Sequence, residues 1–500
     1  MRNGIYLVLG LFCLGLNAQT MADVVRLGTE ESQGTARYQA MGGAFGALGG
    51  DLSSLNVNPA GSAVFNYGQF SITGSNYNRD NEQLYGNTFN NASLNSTELN
   101  QAGGVFVFEG KGSNWKKLAL AINYDLVDNF DNYYEFRGAT TSGLDNYFLN
   151  YADGIPFNSI LRGENEYVEI GYLRTGEDFG YAAQQAYLGY YGGLIDPADP
   201  ENEDGTSYIS TANYDQVNQR YRQTTNGYNS KFTVNMAGQY QENLYLGASL
   251  NFHSIFYERL SLLDEDGYAD DSQITFATFD NLLQTEGNGF SFSLGAIAKL
   301  NENIRIGGSY QSPTWYYLTD NASQRINSSL ADENIDFLDF DEINYYPDYT
   351  IKTPGKISGS AAIIFAKEGL LSFDYGYQDF SNARLRPEND IEFSNTNQAI
   401  SSELQAVNTY RIGGEYRIER LSLRGGYRIE ESPYVDKTIL DDLTGYSAGI
   451  GYDFGGSKLD AAFVRTEQDT NFRLYDAGLG NSAASTFINT NVTLTYTLKF

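Results

Sequence analysis

The sequence predicts an all-β chain: a 14-stranded antiparallel transmembrane β-barrel with a small N-terminal helical hatch in its lumen. Three observations carry this. Apolar and polar residues alternate in fourteen separate segments, and period two is the spacing at which successive side chains point to opposite faces of a strand. The connections alternate between short and long, as in bacterial outer-membrane barrels with tight periplasmic turns and long outer loops. The composition combines 40 Tyr, 30 Phe and 53 Gly with only 9 Pro, 4 Met and 1 His in 500 residues, whereas disordered chains are poor in aromatics.

The chain opens on an export signal. Arg2 precedes an apolar run, Ile5–Leu16, and Asn17-Ala18-Gln19 offers a small residue for cleavage, so residues 1–18 read as a signal peptide. The run is too short to span a bilayer. Cys13, the one cysteine, leaves with it; a lipoprotein would need a small residue where Phe12 stands. The mature chain then has no thiol and no disulfide.

Residues 19–64 read as the hatch. Residues 28–63 do not alternate and are rich in small side chains. Asp51 can cap a short helix over Leu52–Leu55, and Asn58-Pro59 can stop it. A compact segment of this size fits inside a fourteen-strand lumen as a plug.

Residues 65–500 read as the barrel, with strands near 66–77, 103–110, 117–127, 228–241, 243–258, 288–300, 303–318, 350–366, 369–380, 407–418, 420–431, 444–454, 457–468 and 488–500. Short turns are expected at 111–116, 241–243, 301–303, 367–369, 419–420 and 455–456. Long connections are expected at 78–102, 128–227 (the largest), 259–287, 319–348, 381–406, 432–443 and 469–487. A soluble β-sandwich would alternate too, but would not place long loops on every second connection. Closure satisfies every backbone group in lipid, which an open sheet cannot do. Tyr67, Tyr77, Tyr124, Tyr240, Tyr257, Tyr310, Tyr416 and Tyr427, near strand ends, fit interfacial girdles or ordinary β-propensity. The last strand ends on Phe500 and resembles the signal read by the outer-membrane assembly machinery.

Charge and residue counts narrow the function. Lys and Arg total 32 against 62 Asp and Glu, and 32 − 62 gives −30, which repels nucleic acid. The acidic surplus lies in the expected outer loops. Asp264-Glu265-Asp266-Gly267 resembles the start of a calcium loop but lacks the later ligands, so no metal site is expected. His253, the one imidazole, has no Ser or Asp arranged as a catalytic partner and is poor support for a haem ligand. No catalytic residue, enzyme activity or cofactor is expected.

Strand parity assigns the lumen face. On 407–418, Tyr410, Ile412, Tyr416 and Ile418 face lipid, which turns Arg411, Glu415 and Arg417 inward; on the next strand Arg424 and Arg428 face inward. Arg305, Lys231, Asp374 and Asp453 are inward elsewhere. Guanidinium forks bind carboxylates bidentately, so Arg411, Arg417, Arg424 and Arg428 either brace hatch against wall or meet an acidic ligand head group.

The run Ala36-Arg-Tyr-Gln-Ala-Met-Gly-Gly-Ala44, then Asp51-Leu-Ser53, then Asn58-Pro59-Ala60-Gly61 resembles the N-terminal hatch of the FadL/TodX outer-membrane transporters of hydrophobic compounds. Gly308-Ser-Tyr-Gln-Ser-Pro313 resembles that family's strand-end motif. The resemblance implies an outer-membrane protein of a Gram-negative cell that works as a monomer. It would capture a hydrophobic or amphipathic molecule, such as a long-chain fatty acid, under the outer loops. Hatch movement would then release the ligand sideways into the outer membrane. It also implies a lateral gate at a kink of the third strand, here near Ala119–Asp125, where Asn123 and Asp125 face the lumen. Two other readings stay open: a general diffusion porin, and an interaction or secretion-system barrel using the 128–227 segment for docking.

Overall fold

A computed structural model describes residues 20–500 except 111–113, 366–367, 476–477 and 480–481. The expected signal peptide and parts of the turns at 111–116 and 367–369 lie outside the described residues. The described residues begin with helices α1 (Met21–Gly28) and α2 (Ala36–Ala40), followed by two 3₁₀ turns, Leu52–Asn56 and Pro59–Val64. Fourteen wall strands follow: β1 (Gln69–Tyr85), β2 (Thr88–Glu109), β3 (Trp115–Asn129, continued as Asn132–Thr140), β4 (Val217–Tyr240), β5 (Leu244–Asp266), β6 (Phe276–Lys299), β7 (Ile304–Gln311, continued as Trp315–Ser328), β8 (Tyr349–Lys352, continued as Lys356–Phe365), β9 (Gly369–Asp379), β10 (Ala406–Ile418), β11 (Leu421–Glu430), β12 (Leu443–Asp453), β13 (Ser457–Arg473) and β14 (Ser482–Lys499). Neighbours pair antiparallel, and β1 pairs with β14 from Gln69↔Lys499 to Leu84↔Ala484. That seam closes the sheet and removes its edges.

The faces follow parity. On β14, Val492, Leu494, Tyr496 and Leu498 are about half exposed on the lipid side, while Thr493, Thr495 and Thr497 are buried in the lumen. Tyr67, Tyr310, Tyr416 and Tyr427 are exposed as a girdle requires. Tyr77 and Tyr257 are not girdle residues. Tyr77 shares the inward parity of Ser71, Thr73 and Ser75, and its hydroxyl donates to Gln33 at 2.8 Å. The Tyr257 ring lies under the Arg26 guanidinium at 3.6 Å.

The strands rise beyond their apolar alternation. Segments 78–102, 259–287, 319–348 and 469–487, expected as loops, run wholly or partly as strand, and β1 and β2 form one tall hairpin turning at Gly86-Asn87. Above the membrane the outer face meets water, so the apolar signal stops while backbone pairing continues. Asn76 and Asn95, for example, bond across β1–β2 at 3.0 Å where a lipid-facing pair would be apolar.

The 128–227 segment is likewise only partly loop, because β3 and β4 extend into it. Between them α3 (Leu144–Ala152), α4 (Val168–Phe179), α5 (Tyr181–Tyr191) and a small hairpin (Ile195–Pro197 with Tyr208–Ser210) roof the barrel. Gly180, at φ +83°, makes the abrupt α4–α5 corner that a side chain would strain. Phe148, Tyr172, Tyr187 and Leu188 pack with Phe279 and Ile326 of the wall into the largest apolar core. The expected 381–406 connection contains α6 (Ile391–Glu403), whose Phe393 and Ile400 pack in one cluster with α1 residues Val24 and Leu27.

Candidate functional site

The hatch is locked by the residues that terminate its turns. The Asp51 carboxylate accepts from the Ser53 N–H at 3.0 Å and from the Thr35 hydroxyl at 2.7 Å, tying the first 3₁₀ turn to the start of α2. Asn58 Oδ1 accepts from the Ala60 N–H at 3.1 Å. Its Nδ2 donates to the carbonyls of Gly46 at 2.7 Å and Ala296 at 3.0 Å, clamping the hatch to β6. Pro59 occupies the first helical position, where a missing N–H costs nothing. Ala60 is fully buried against Ala237, Tyr245 and Ile297. Wall glycines let the hatch approach closely: a Cβ on Gly295 would overlap the Asn58 side chain, and one on Gly426 would overlap the Gly42 backbone. The hatch also spans the seam. Ala36 N–H donates to Thr495 of β14 at 2.7 Å, and Gly34 N–H donates to Asn100 of β2 at 2.8 Å.

The inward arginines occupy three settings. Glu415, its side chain 1% exposed, takes ion pairs from Arg37 of α2 at 2.8 Å, Arg424 at 2.7 Å and Arg417 at 2.8 Å. Arg424 also reaches Asp460 at 2.7 Å. Arg428 pairs with Glu430 at 2.6 Å and donates to the Glu30 carbonyl at 3.3 Å. Arg411 makes no ion pair among the described residues; it borders a crevice of about 30 Å³ shared with Glu30, Lys231 and Lys356.

Above the hatch lie two larger cavities with α1 between them. The upper, about 430 Å³, sits under the helical roof and is lined by Tyr147, Tyr221, Leu283, Phe472 and Tyr475. Arg259 and Arg473 also line it, and neither has a carboxylate partner among the described residues. The lower, about 410 Å³, runs beside the strap that links α1 to α2 and reaches Asp128 and Asn129 of β3 and Phe130 just beyond them. Thr20 and Asp23 of the N-terminal end face the upper cavity, while Val25, Arg26 and Thr29 face the lower.

The wall beside the lower cavity is irregular. The β2–β3 ladder runs from Glu109↔Lys117 to Gln101↔Asp125 and ends there. Leu126 to Phe130 are all under 10% exposed, drawn inward. The register against β4 shifts between Leu126 and Asp128, leaving Val127 as an unpaired bulge. The irregularity expected across Ala119–Asp125 thus starts just beyond it, because pairing is regular through the last rung. Asp125 sits on that rung and Asn123 two residues before it, opposite Gly103; both are buried and joined at 2.7 Å, with Gln101 donating to Asn123 at 2.7 Å. Side chains cross the gap above: Asn129 donates to Ser96 at 3.1 Å, and Arg79 of β1 donates to the Asp131 carbonyl at 2.6 Å.

The family model of the outer membrane protein transport proteins (OMPP1/FadL/TodX) matches residues 229–497. The chain belongs to this family. Among solved structures, a Pseudomonas aeruginosa FadL homologue is 12% identical, with TM-score 0.55 over 95% of this chain and 100% of the other. The Pseudomonas putida toluene transporter TodX is 13% identical, with TM-score 0.51 over 95% and 100%. At such identities the likeness concerns the fold. No curated protein matches the chain in sequence. The protein is therefore a FadL/TodX-family transport barrel of the outer membrane.

Several residues of this FadL/TodX-family site escaped sequence reasoning. Arg259 and Arg473 lie in stretches expected as loops, where no parity was assigned. Glu30 stood in a run with no periodicity. Lys356 sits directly after the Thr353-Pro354-Gly355 interruption of β8, which hides its parity. Inward alternation along β4 did single out Lys231. Among the described residues no group of three or more His, Cys, Asp or Glu could hold a metal ion.

Proposed function

We propose that this transporter takes up amphipathic molecules with an apolar tail and a carboxylate head, of the long-chain fatty acid type, and releases them sideways between β2 and β3. One observation carries the reading. Two cavities of about 430 and 410 Å³ lead from under the roof to the interrupted ladder; a further space of about 550 Å³ opens on the short-turn side of the hatch at Gly49, Glu368 and Arg417, and between strap, hatch and wall there is a crevice of about 30 Å³. Such a crevice holds about one or two waters, which disfavours an open porin for polar solutes. Aromatic walls suit an acyl tail. The partnerless Arg259 and Arg473 favour an acid over a neutral hydrocarbon, since a guanidinium binds carboxylate through short charged hydrogen bonds. In this reading Asn123 and Asp125 form the lower sill of the gate, and Arg417 and Arg424 brace the hatch. Assembly through the C-terminal strand ending in Phe500 and a monomeric working form belong to the same reading.

The test is native mass spectrometry of the purified barrel in mild detergent, followed by titration with an eighteen-carbon fatty acid. A retained lipophile displaced stoichiometrically is expected; an empty barrel indifferent to the acid would overturn the reading. Arg259→Ala is expected to weaken acid binding about tenfold or more, the scale of a lost charged hydrogen bond, without changing heat-modifiable migration of the folded barrel.

A further inference from the structure

We infer that Glu30 is an internal stand-in for the ligand's head group, occupying an anion site that the carboxylate of an incoming acid takes over on its way to the break between β2 and β3. The inference rests on the proposal that the ligand is an acid.

The site is the crevice between strap, hatch and wall. Three strands distant in sequence bring cations to it: Lys231 from β4, Lys356 from β8 and Arg411 from β10. None of the three forms an ion pair among the described residues. Lys231 is 4% and Arg411 8% exposed, and Arg411 Nε has no hydrogen-bond partner. Isolated buried cations are costly, so three facing one small space constitute an anion site. The carboxylates bordering the same space are Glu30, Glu31 and Asp125. Glu31 is taken by Arg79 at 3.2 Å, and one Asp125 oxygen is taken by Asn123. The other Asp125 oxygen has no hydrogen-bond partner among the described residues and faces Lys231, and Glu430 faces Lys356 and Arg411. Glu30 is the anion that the strap itself sets before Lys231 and Lys356, and its side chain is fixed by one long hydrogen bond, from Gln311 at 3.3 Å. Burial alone would raise the Glu30 pKa, but Lys231 and Lys356, together with His253 and the Gln311 hydrogen bond, outweigh it and hold the carboxyl at about 2. With Glu30 in place the free space is about 30 Å³, room for about one or two waters but not for a second carboxylate with its chain, so a ligand head group enters only as Glu30 leaves.

The next residue connects this site to the wall. Glu31 N–H donates to Asp128 at 3.0 Å, and the Glu31 carboxylate holds Arg79, which also donates to Asn129 and Asp131 across the gap. Displacing Glu30 therefore pulls the strap off the residues that bridge β1, β2 and β3. Exchange of one carboxylate for another leaves no buried cation bare, so ligand arrival releases the gap at little electrostatic cost. A neutral hydrocarbon cannot make this exchange.

The experiment compares wild type with Glu30→Gln as purified full-length barrels, each titrated with an eighteen-carbon fatty acid and with the alcohol of the same chain. Removing the competitor is expected to tighten acid binding about tenfold, as for any lifted conformational cost, and to leave alcohol binding unchanged. Lys356→Gln is expected to reverse the gain. Acid binding equal in wild type and Glu30→Gln would overturn the inference while leaving the ligand reading intact. Equal tightening for acid and alcohol would also overturn it, showing a loosened hatch instead. A wild type indifferent to acid would overturn the ligand reading itself. Should Glu30→Gln fail to fold, Gln311→Leu removes the hydrogen bond that fixes Glu30 and is expected to shift acid binding in the same direction.

Discussion

Glu415→Ala is expected to unseat the hatch, at a cost of about 3–5 kcal/mol, the range found when one member of a buried ion pair is removed. Glu415 holds Arg37 of the hatch and Arg424 of the wall together, and Arg424 is 4% exposed. Without the carboxylate three guanidiniums lose their partner: Arg424 keeps Asp460, Arg417 is 45% exposed to water, and Arg37 is left facing Arg424 with no carboxylate of its own. Arg37 also donates to the Gly50 carbonyl at 3.3 Å, which does not neutralise it. The readouts are a lowered thermal transition, protease cleavage within 29–64, and a steady conductance in planar bilayers where wild type is closed. Adding Arg37→Ala removes the stranded charge and should restore part of the transition temperature. A closed, protease-resistant Glu415→Ala barrel would show that the caps and glycine notches hold the hatch unaided.

Deleting Val127 is expected to reduce transfer of the acid into the bilayer by an order of magnitude or more, equivalent to at least about 1.4 kcal/mol on the barrier, while binding in the upper cavity is unchanged. Val127 is the residue that β4 leaves unpaired. Leu126 faces Ser230 and Asp128 faces Asn229, so its removal joins these rungs without moving the rest of the register. A strand freed of its bulge straightens, and β3 can then resume pairing with β2 above Gln101. Uptake into liposomes carrying the purified protein, measured beside acid affinity, separates exit from capture. Wild-type uptake would place the exit elsewhere.

What could be read in advance follows the solvent on each side of the wall. Where lipid lies outside and water inside, the alternation is forced, as at Val492, Leu494, Tyr496 and Leu498, and all fourteen wall strands are visible in sequence. Where both sides are wet, as at Asn76 and Asn95, a strand carries no such mark and resembles a loop. Parity likewise turned Arg411, Glu415, Arg417, Arg424 and Arg428 inward, but the hatch partner of Glu415 was hidden: Arg37 lies 378 positions away. The hatch stops at Asp51 and Asn58 were legible because capping is local. The second duty of Asn58, clamping Ala296, was not, since it depends on where β6 lies in space.

The position of the hatch across the seam also bears on how the barrel is built. Ala36 contacts Thr495 at a separation of 459 positions, while Gly34 is held by Asn100 on the other side of β1. Bringing the two ends of so long a chain together costs roughly 5 kcal/mol of chain entropy, and the docked hatch bridges the very strands that must meet. The N-terminal segment is therefore expected to help close the ring, coupling insertion to plugging. A chain lacking 20–64 should accordingly refold into vesicles more slowly, with its heat-modifiable band appearing late.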